Sequence, residues 1–438
     1  MQVYIIGILY IVISVLHSDI VFSQATPAYT LFEMCSSFQP LGAGARATGR
    51  GGAFLSNADD ATAASWNPGT LIQVKRKYEF SIVKSFINRF ENLDFDKNPE
   101  ATGKNSVNYD DINFASITYP FIAMNRNMVV SLSYQKLYDF NRRWYLVFND
   151  NVAIYSFDRK IKMYQEGMIS SISLSYCFQL DSRFSTGFTI NIFDNKLSKN
   201  KWKQVSVKDI ITKRNDGYVK TTHRIEAESF EFKGYSINIG LLYIISPKIN
   251  IGAIYKSRIL GNLPRIFKIQ EEDIVVRKFN EEIELPDSYG IGVSYKFIKN
   301  GFIAIDFHFT RWDEFLFRDI NGYEISPVTG QLLYKSDVHP ATQVRLGIEY
   351  KIIDKMKKRA FPLRAGFFYD PAPSHKNPDD IFGLCFGFGY TLNNWYSIDF
   401  AYQYRFGNDL YTKIYEERGF SLNLREHKFF VSMILYQF

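Results

Sequence analysis

The chain has only three cysteines in 438 residues, Cys35, Cys177 and Cys385, and they lie far apart. An odd, scattered count excludes a disulfide framework, and with no Cys-x-x-Cys pair there is no metal-ligand spacing. No metal and no cofactor is expected. Long hydrophobic runs are missing after the first segment, so the mature chain should have no transmembrane helix, which needs about 18 consecutive apolar residues. The net charge is +7, yet no dense Lys/Arg block interleaved with aromatics points to nucleic acid. Tryptophan is scarce, at 5 residues, but Tyr (29) and Phe (39) are abundant. Barrels in lipid use such rings as outward surface and as girdles at both interfaces.

The one long apolar run is at the start. Tyr4 to Leu16 has the length of a signal-peptide core, and Val21-Phe22-Ser23 before Gln24 suits a cleavage site. The stretch before the core lacks Lys and Arg, so a non-cleaved anchor is the alternative. Cys35 is not a lipidation site, because Phe32-Glu33-Met34 supplies no small residues. An exported, aromatic-rich chain without such helices can still span a membrane as a closed barrel, which leaves no backbone group unpaired in lipid.

From Tyr78 onward the chain alternates apolar and polar residues in segments of about ten, the period of two-faced strands. Tyr396, Ile398, Phe400, Tyr402, Tyr404 and Phe406 oppose Ser397, Asp399, Ala401, Gln403 and Arg405. Val344, Leu346, Ile348 and Tyr350 oppose Gln343, Arg345, Gly347 and Glu349. Strand centres fall near residues 82, 117, 132, 173, 189, 238, 254, 291, 306, 347, 366, 386, 401 and 433. The links alternate in length. Asn125-Arg126-Asn127, Asp181-Ser182-Arg183, Ser246-Pro247-Lys248, Asn300-Gly301 and Asn393-Asn394 suit tight hairpins. The others, 88–111, 139–164, 197–228, 261–283, 317–340, 371–380 and 408–425, read as long polar loops.

A soluble sandwich has no reason to keep short turns on one side and long loops on the other; outer-membrane barrels do. The expected fold is all-β, a fourteen-stranded antiparallel transmembrane β-barrel in the outer membrane of a diderm bacterium. A last strand ending Tyr436-Gln437-Phe438 resembles the recognition element of barrel-assembly substrates, so the assembly machinery is an expected partner.

Residues 24–74 do not alternate. Small residues dominate from Leu41 to Phe54 and from Ala58 to Gly69, which lets a backbone pack closely. Asp59 or Asp60 can cap a helix over Ala61 to Trp66, ended by Asn67-Pro68. The glycines form no phosphate loop, having no Gly-Lys-Ser/Thr ending, and no dinucleotide fingerprint. An N-terminal hatch, or plug, inside the lumen accounts for the stretch better than a flexible tail. Gly290, Gly292, Gly347, Gly366, Gly383, Gly387 and Gly389 would leave room for it. The expected organisation is a signal peptide over 1–23, the hatch over 24–74 and the barrel over 75–438.

Gly44-Ala45-Arg46, Gly51-Gly52-Ala53-Phe54, Asp59-Asp60-Ala61-Thr62-Ala63 and Asn67-Pro68-Gly69 resemble the hatch of the FadL-type family of long-chain fatty acid and hydrocarbon transporters. Val344–Tyr350, Leu363–Asp370 and Gly383–Arg405 resemble it too, whereas 88–280 diverges. The family has Ala where this chain has Gly69; glycine being smaller, the turn should survive. The resemblance implies a hatch-plugged barrel and passive, hatch-gated uptake of hydrophobic small molecules such as long-chain fatty acids. The alternative it leaves open is the PorV type, a FadL-like component of a protein secretion system.

Inward charges Arg345, Glu349, Arg364, Asp399 and Arg405 are candidates to hold a ligand head, or else pair across strands. Arg46, Asp59, Asp60, Asn67, Pro68 and Gly69 are the hatch candidates, with plug geometry as the first role of Asn67 and Pro68. Lys199, Lys201, Lys203, Lys208 and Lys213 could meet lipopolysaccharide phosphates or belong to a solvated loop. Asp306 and His308 share one strand face, about 7 Å apart by twice the per-residue rise. No serine is placed to complete a triad, so no enzyme activity is expected.

Overall fold

Alternation along an extended chain puts two chemistries on two faces of a sheet, and the structure shows which face is inside. The computed structural model describes residues 42–74, 78–392, 395–410 and 416–437. The expected signal peptide, Cys35, the first part of the hatch, the Asn393-Asn394 turn and Phe438 lie outside the described residues.

The strands are β1 (Tyr78–Phe95), β2 (Gly103–Ala123), β3 (Arg126–Asp139), β4 (Arg142–Val152), β5 (Tyr155–Gln179), β6 (Phe184–Phe193), β7 (Asn200–Arg214), β8 (Val219–Glu231), β9 (Lys233–Ser246), β10 (Ile249–Lys256) and β11 (Ile259–Gln270). They continue with β12 (Ile274–Leu285), β13 (Ser288–Ile298), β14 (Gly301–Thr310), β15 (Leu316–Arg318), β16 (Glu324–Ile325), β17 (Ala341–Asp354), β18 (Arg359–Tyr369), β19 (Ile381–Leu392), β20 (Tyr396–Leu410) and β21 (Phe420–Gln437). All belong to one sheet. Its pairing runs β1-β2-β3-β5-β6-β9-β10-β13-β14-β17-β18-β19-β20-β21, each pair antiparallel. The last strand then pairs with the first, from Tyr78 opposite Gln437 to Phe95 opposite Phe420. Closure removes the free edges that lipid would leave unsatisfied.

The predicted centres fall on strands of this circuit, but fourteen is too few for the sheet, which holds 21 strands. The surplus occupies the stretches read as loops. β4 and the first half of β5 fill 139–164, β7 and β8 fill 197–228, and β11 and β12 fill 261–283. These strands stand beyond the circuit and carry no lipid-facing apolar row, so their sequences lack the contrast that marks a membrane strand. The first tight turn is also shifted: Met124 and Asn125 carry it, with φ of 49° and 57°, the type I′ pair, and Arg126 already begins β3.

The inward face is polar. Asp306, Ser397, Asp399 and Glu426 are fully buried, whereas Ile291, Phe386 and Phe388 are more than half exposed on the outside. A soluble sandwich would show the reverse. Beyond the circuit the sense switches, and aromatic clusters line the interior. One joins Phe140, Trp202, Phe230, Phe232 and Trp312. The other joins Phe95, Trp144, Phe148, Leu146 and Phe420.

Residues 42–74 form two short helices, α1 (Ala45–Gly49) and α2 (Ala63–Trp66), and a 3-10 turn, Pro68–Gln73. The segment is nearly all buried and packs on the inward faces of β5, β6, β9 and β18–β21.

Candidate functional site

The expected helix over Ala61–Trp66 is shorter, because the Asp60 carboxylate takes the Thr62 N–H (2.9 Å) and hydroxyl and holds Ala61 and Thr62 in a turn. Asn67 ends the helix in an extended conformation and opens the 3-10 turn. Its Oδ1 accepts the Gly69 N–H at 3.0 Å, and its Nδ2 donates to Leu55 O (2.7 Å) and to Leu241 O on β9 (2.9 Å). Pro68 sits at the first position of that turn, where its missing N–H costs nothing. One asparagine thus closes a turn and ties it both to the segment and to the wall.

The close packing needs glycine on both sides. A Cβ on Gly69 would lie 2.7 Å from Gly240 backbone atoms, so the turn that tolerates glycine has no room for the family's alanine. Gly347 and Gly366 face the backbone of Arg50 and Gly51, and Gly387 faces Gly49; Gly290 and Gly292 also lie near the Leu55 side chain, but they make room first for wall side chains, Ile254 and His308 at Gly290 and Asp306 at Gly292. Gly383 and Gly389 do not serve this purpose: they make room for the Phe368 ring and the Asp399 carboxylate.

Three of the five inward charges, Glu349, Arg364 and Asp399, form one network with the segment. Arg364 on β18 bonds Glu349 on β17 (2.5 Å) and Asp399 on β20 (2.7 Å). Arg46 on α1 reaches the same Asp399 at 3.1 Å, and Asp59 and Asp60 at 3.3 and 3.6 Å. Lys351 bridges Asp59 and Glu349, each at 3.1 Å. Arg50, fully buried, lies 3.5 Å from Asp59 and over the Phe54 ring. Burial alone would raise the Asp59 carboxyl, but Lys351, Arg46 and Arg50 hold it well below its ordinary value. Asp60 has fewer cations around it, and burial pushes it up.

Arg345 and Arg405 stand apart from Glu349, Arg364 and Asp399. Arg345 donates to Gly51 O at 3.0 Å, and both arginines approach Asp370, at 3.9 and 3.5 Å. They line a cavity of about 110 Å³ between Gly42, Thr48, Gly52 and Trp66 on one side and Lys136, Asp139, Asp370 and Lys428 on the other. Four cations and two carboxylates line it, and two of the cations are already paired, Lys136 with Asp111 (2.5 Å) and Lys428 with Glu426 (2.9 Å), which leaves Arg345 and Arg405 sharing Asp370. An apolar cavity of about 150 Å³ takes benzene, so this space fits a small polar group and excludes an alkyl chain.

Asp306 and His308 are both buried, but no hydrogen bond joins them among the described residues. Asp306 Oδ2 instead accepts the N–H groups of Phe54 (2.6 Å) and Leu55 (2.8 Å). Sequence reasoning missed this contact, and it missed Arg50, Lys351 and Asp370. Inward placement by strand parity was the available pointer to Lys351's neighbours; nothing local marks which backbone Asp306 meets. Among the described residues no cluster has metal-ligand geometry.

A family model described as "Outer membrane protein transport protein (OMPP1/FadL/TodX)" matches residues 34–423. Among solved structures, a Pseudomonas aeruginosa FadL homologue is 13% identical, with a TM-score of 0.62 over 91% of this chain and 99% of that one. The Ralstonia pickettii toluene transporter TbuX is 11% identical, with a TM-score of 0.56 over 92% and 100%. The Pseudomonas putida toluene transporter TodX is 13% identical, with a TM-score of 0.54 over 91% and 99%. At these identities the likeness is one of fold. No curated protein matches the chain by sequence.

Proposed function

The chain belongs to the outer membrane protein transport family (OMPP1/FadL/TodX), and from that premise we propose that it takes up hydrophobic small molecules that carry an acidic head, long-chain fatty acids foremost. Passage is passive and gated by the N-terminal segment acting as a hatch.

The observation that carries this reading is an order of environments along one axis. Aromatic clusters line the interior beyond the membrane circuit. The polar cavity of about 110 Å³, with Lys136, Arg345, Arg405 and Lys428, lies against the buried segment further in. An alkyl chain gains about 0.8 kcal/mol per methylene buried, and a carboxylate finds cations where the chain must stop. A neutral aromatic hydrocarbon, the cargo named for TodX and TbuX, has no charge for the arginines of that cavity to pair. The ion pairs and glycine contacts that seat the segment make it the barrier, and its displacement would open the lumen.

The test is uptake of labelled long-chain fatty acid by cells with and without this gene, alongside labelled toluene. Loss of fatty acid uptake alone is expected. No difference for either ligand, together with recovery of the protein bound to a secretion translocon, would instead establish the secretion role.

A further inference from the structure

The strands beyond the circuit form a curved sheet, β4–β5–β7–β8–β11–β12. Its two faces treat cations differently. On the inner face Arg265 is buried between Glu228 (3.0 Å) and Glu281 (2.7 Å). Lys208 and Arg224 share Glu226, at 3.1 and 2.8 Å. On the outer face Arg143, Lys160, Lys162, Lys203, Lys268 and Lys278 are exposed, and none has an ion pair among the described residues.

Register sets these side chains in rows with apolar ones. One row runs Arg143, Tyr164, Val205, Ala227, Lys268, Val276; the next runs Tyr145, Lys162, Val207, Ile225, Gln270, Ile274. A third runs Glu166, Lys203, Ser229, Ile266, Lys278. Directly opposite residues share a face, with strands about 4.8 Å apart. The carboxylates of this face have partners other than these cations, apart from Glu166, which stands opposite Lys203: Asp158 is taken by Lys213 at 2.7 Å, Asp209 by His223 at 2.6 Å, Glu231 by Lys201 at 3.1 Å, Glu284 by Arg258 at 3.2 Å and Glu282 by Arg318. The Lys-rich stretch read as a loop is therefore strand β7, and of its lysines Lys201, Lys208 and Lys213 are paired while Lys203 is not.

The height of the patch indicates what meets it. A membrane strand needs about 9–11 residues to cross the hydrocarbon. Counting about ten residues up β5 from Phe178, at the tight-turn end, reaches Ile169. The row of Glu166 and Lys203 stands about three residues above that, and the rows of Lys268 and Lys162 follow at two-residue steps. The unpaired cations thus begin where the apolar belt stops, at the level of outer-leaflet head groups. Solvent-exposed cations on a sheet that pairs its other charges leave a positive surface that anionic head groups neutralise.

We propose that this outer face binds the phosphorylated glycolipid of the outer leaflet, lipopolysaccharide. Arg143, Lys162, Lys203, Lys268 and Lys278 meet its phosphates, and Tyr145, Tyr164, Ile266 and Val276 lie along its less polar part. The site is separate from the lumen and does not depend on the transported ligand.

The test uses the purified full chain in detergent, with purified lipopolysaccharide as the probe and native mass spectrometry as the readout. Arg143→Gln/Lys162→Gln/Lys268→Gln/Lys278→Gln should weaken binding at least about tenfold. The charge-matched control Lys299→Gln/Lys355→Gln/Lys357→Gln/Lys358→Gln, at the opposite end of the barrel, should bind as the parent does. Enzymatically dephosphorylated lipopolysaccharide should bind the parent as weakly as intact lipopolysaccharide binds the first variant, a comparison that needs no variant to fold. Equal binding of the two lipid forms, or equal loss in the control, overturns the proposal. Full displacement by millimolar inorganic phosphate or by an acidic phosphopeptide overturns the assignment to a lipid.

Discussion

Asp306 on β14 holds Phe54 of the N-terminal segment: one carboxylate oxygen accepts the Phe54 N–H at 2.6 Å and the Leu55 N–H at 2.8 Å. The wall makes room for it with Gly292, whose Cβ would collide with the other carboxylate oxygen. Asp306→Ala strips the partner from two buried N–H groups, at about 1–3 kcal/mol each. Faster hydrogen exchange at Phe54 and Leu55 and a raised leak of small ions across planar bilayers are expected. Unchanged exchange at both amides would show that the carboxylate does not hold the segment.

The Gly69–Gly240 contact predicts intolerance of a single methyl group. Gly69→Ala puts a Cβ 2.7 Å from the opposing backbone, so the turn must move. Overpacking of this kind costs about 1–3 kcal/mol. Asn67→Asp in the same turn replaces the donor to Leu55 O and Leu241 O with an anion and should cost more. Thermal unfolding of the two purified variants orders them; a Gly69→Ala protein as stable as the parent contradicts the contact.

The Asp59 cluster gives a pH window. Lys351, Arg46 and Arg50 hold its carboxyl well below the ordinary value of 3.8. A depressed carboxyl contributes stability that is complete above its unfolded pKa and is lost only as pH falls through the lower folded one. The segment should therefore stay seated from pH 7 down to about pH 4, with a flat bilayer conductance over that range. Asp59→Asn should leak at pH 7 already. A leak opening between pH 6 and 5 in the parent would mean that another group holds the segment.

The polar cavity separates acids from esters. Arg345→Gln with Arg405→Gln removes two cations from its lining. Affinity for a long-chain fatty acid should fall about tenfold or more, while affinity for its methyl ester stays level. Calorimetric titration of both ligands checks this, and equal losses would place the head elsewhere.

How much of this was legible varies with the scale of the contact. Period-2 alternation placed Arg345, Glu349, Asp399 and Arg405 on the inward face, and all four are buried there. Parity cannot say who meets whom. Arg364 stands directly opposite Glu349, and it reaches Asp399 across β19, two residues away from the Ala401 that shares its register on β20. Arg46 reaches Asp399 across 353 residues of sequence. The strands beyond the circuit were missed because their outward side mixes charged with apolar residues, which erases the apolar row that made β17 or β20 readable.

By itself the sequence determined the two-faced strands, the tight turns and the small residues of the N-terminal segment, because each is a local requirement of backbone sterics and side-chain period. Only the tertiary structure decided that Arg46 reaches Asp399, that Asp306 grips Phe54 and Leu55, and that Gly69 lies against Gly240. Those depend on closing β21 onto β1, and closure is a property of the whole sheet that no stretch of sequence carries alone.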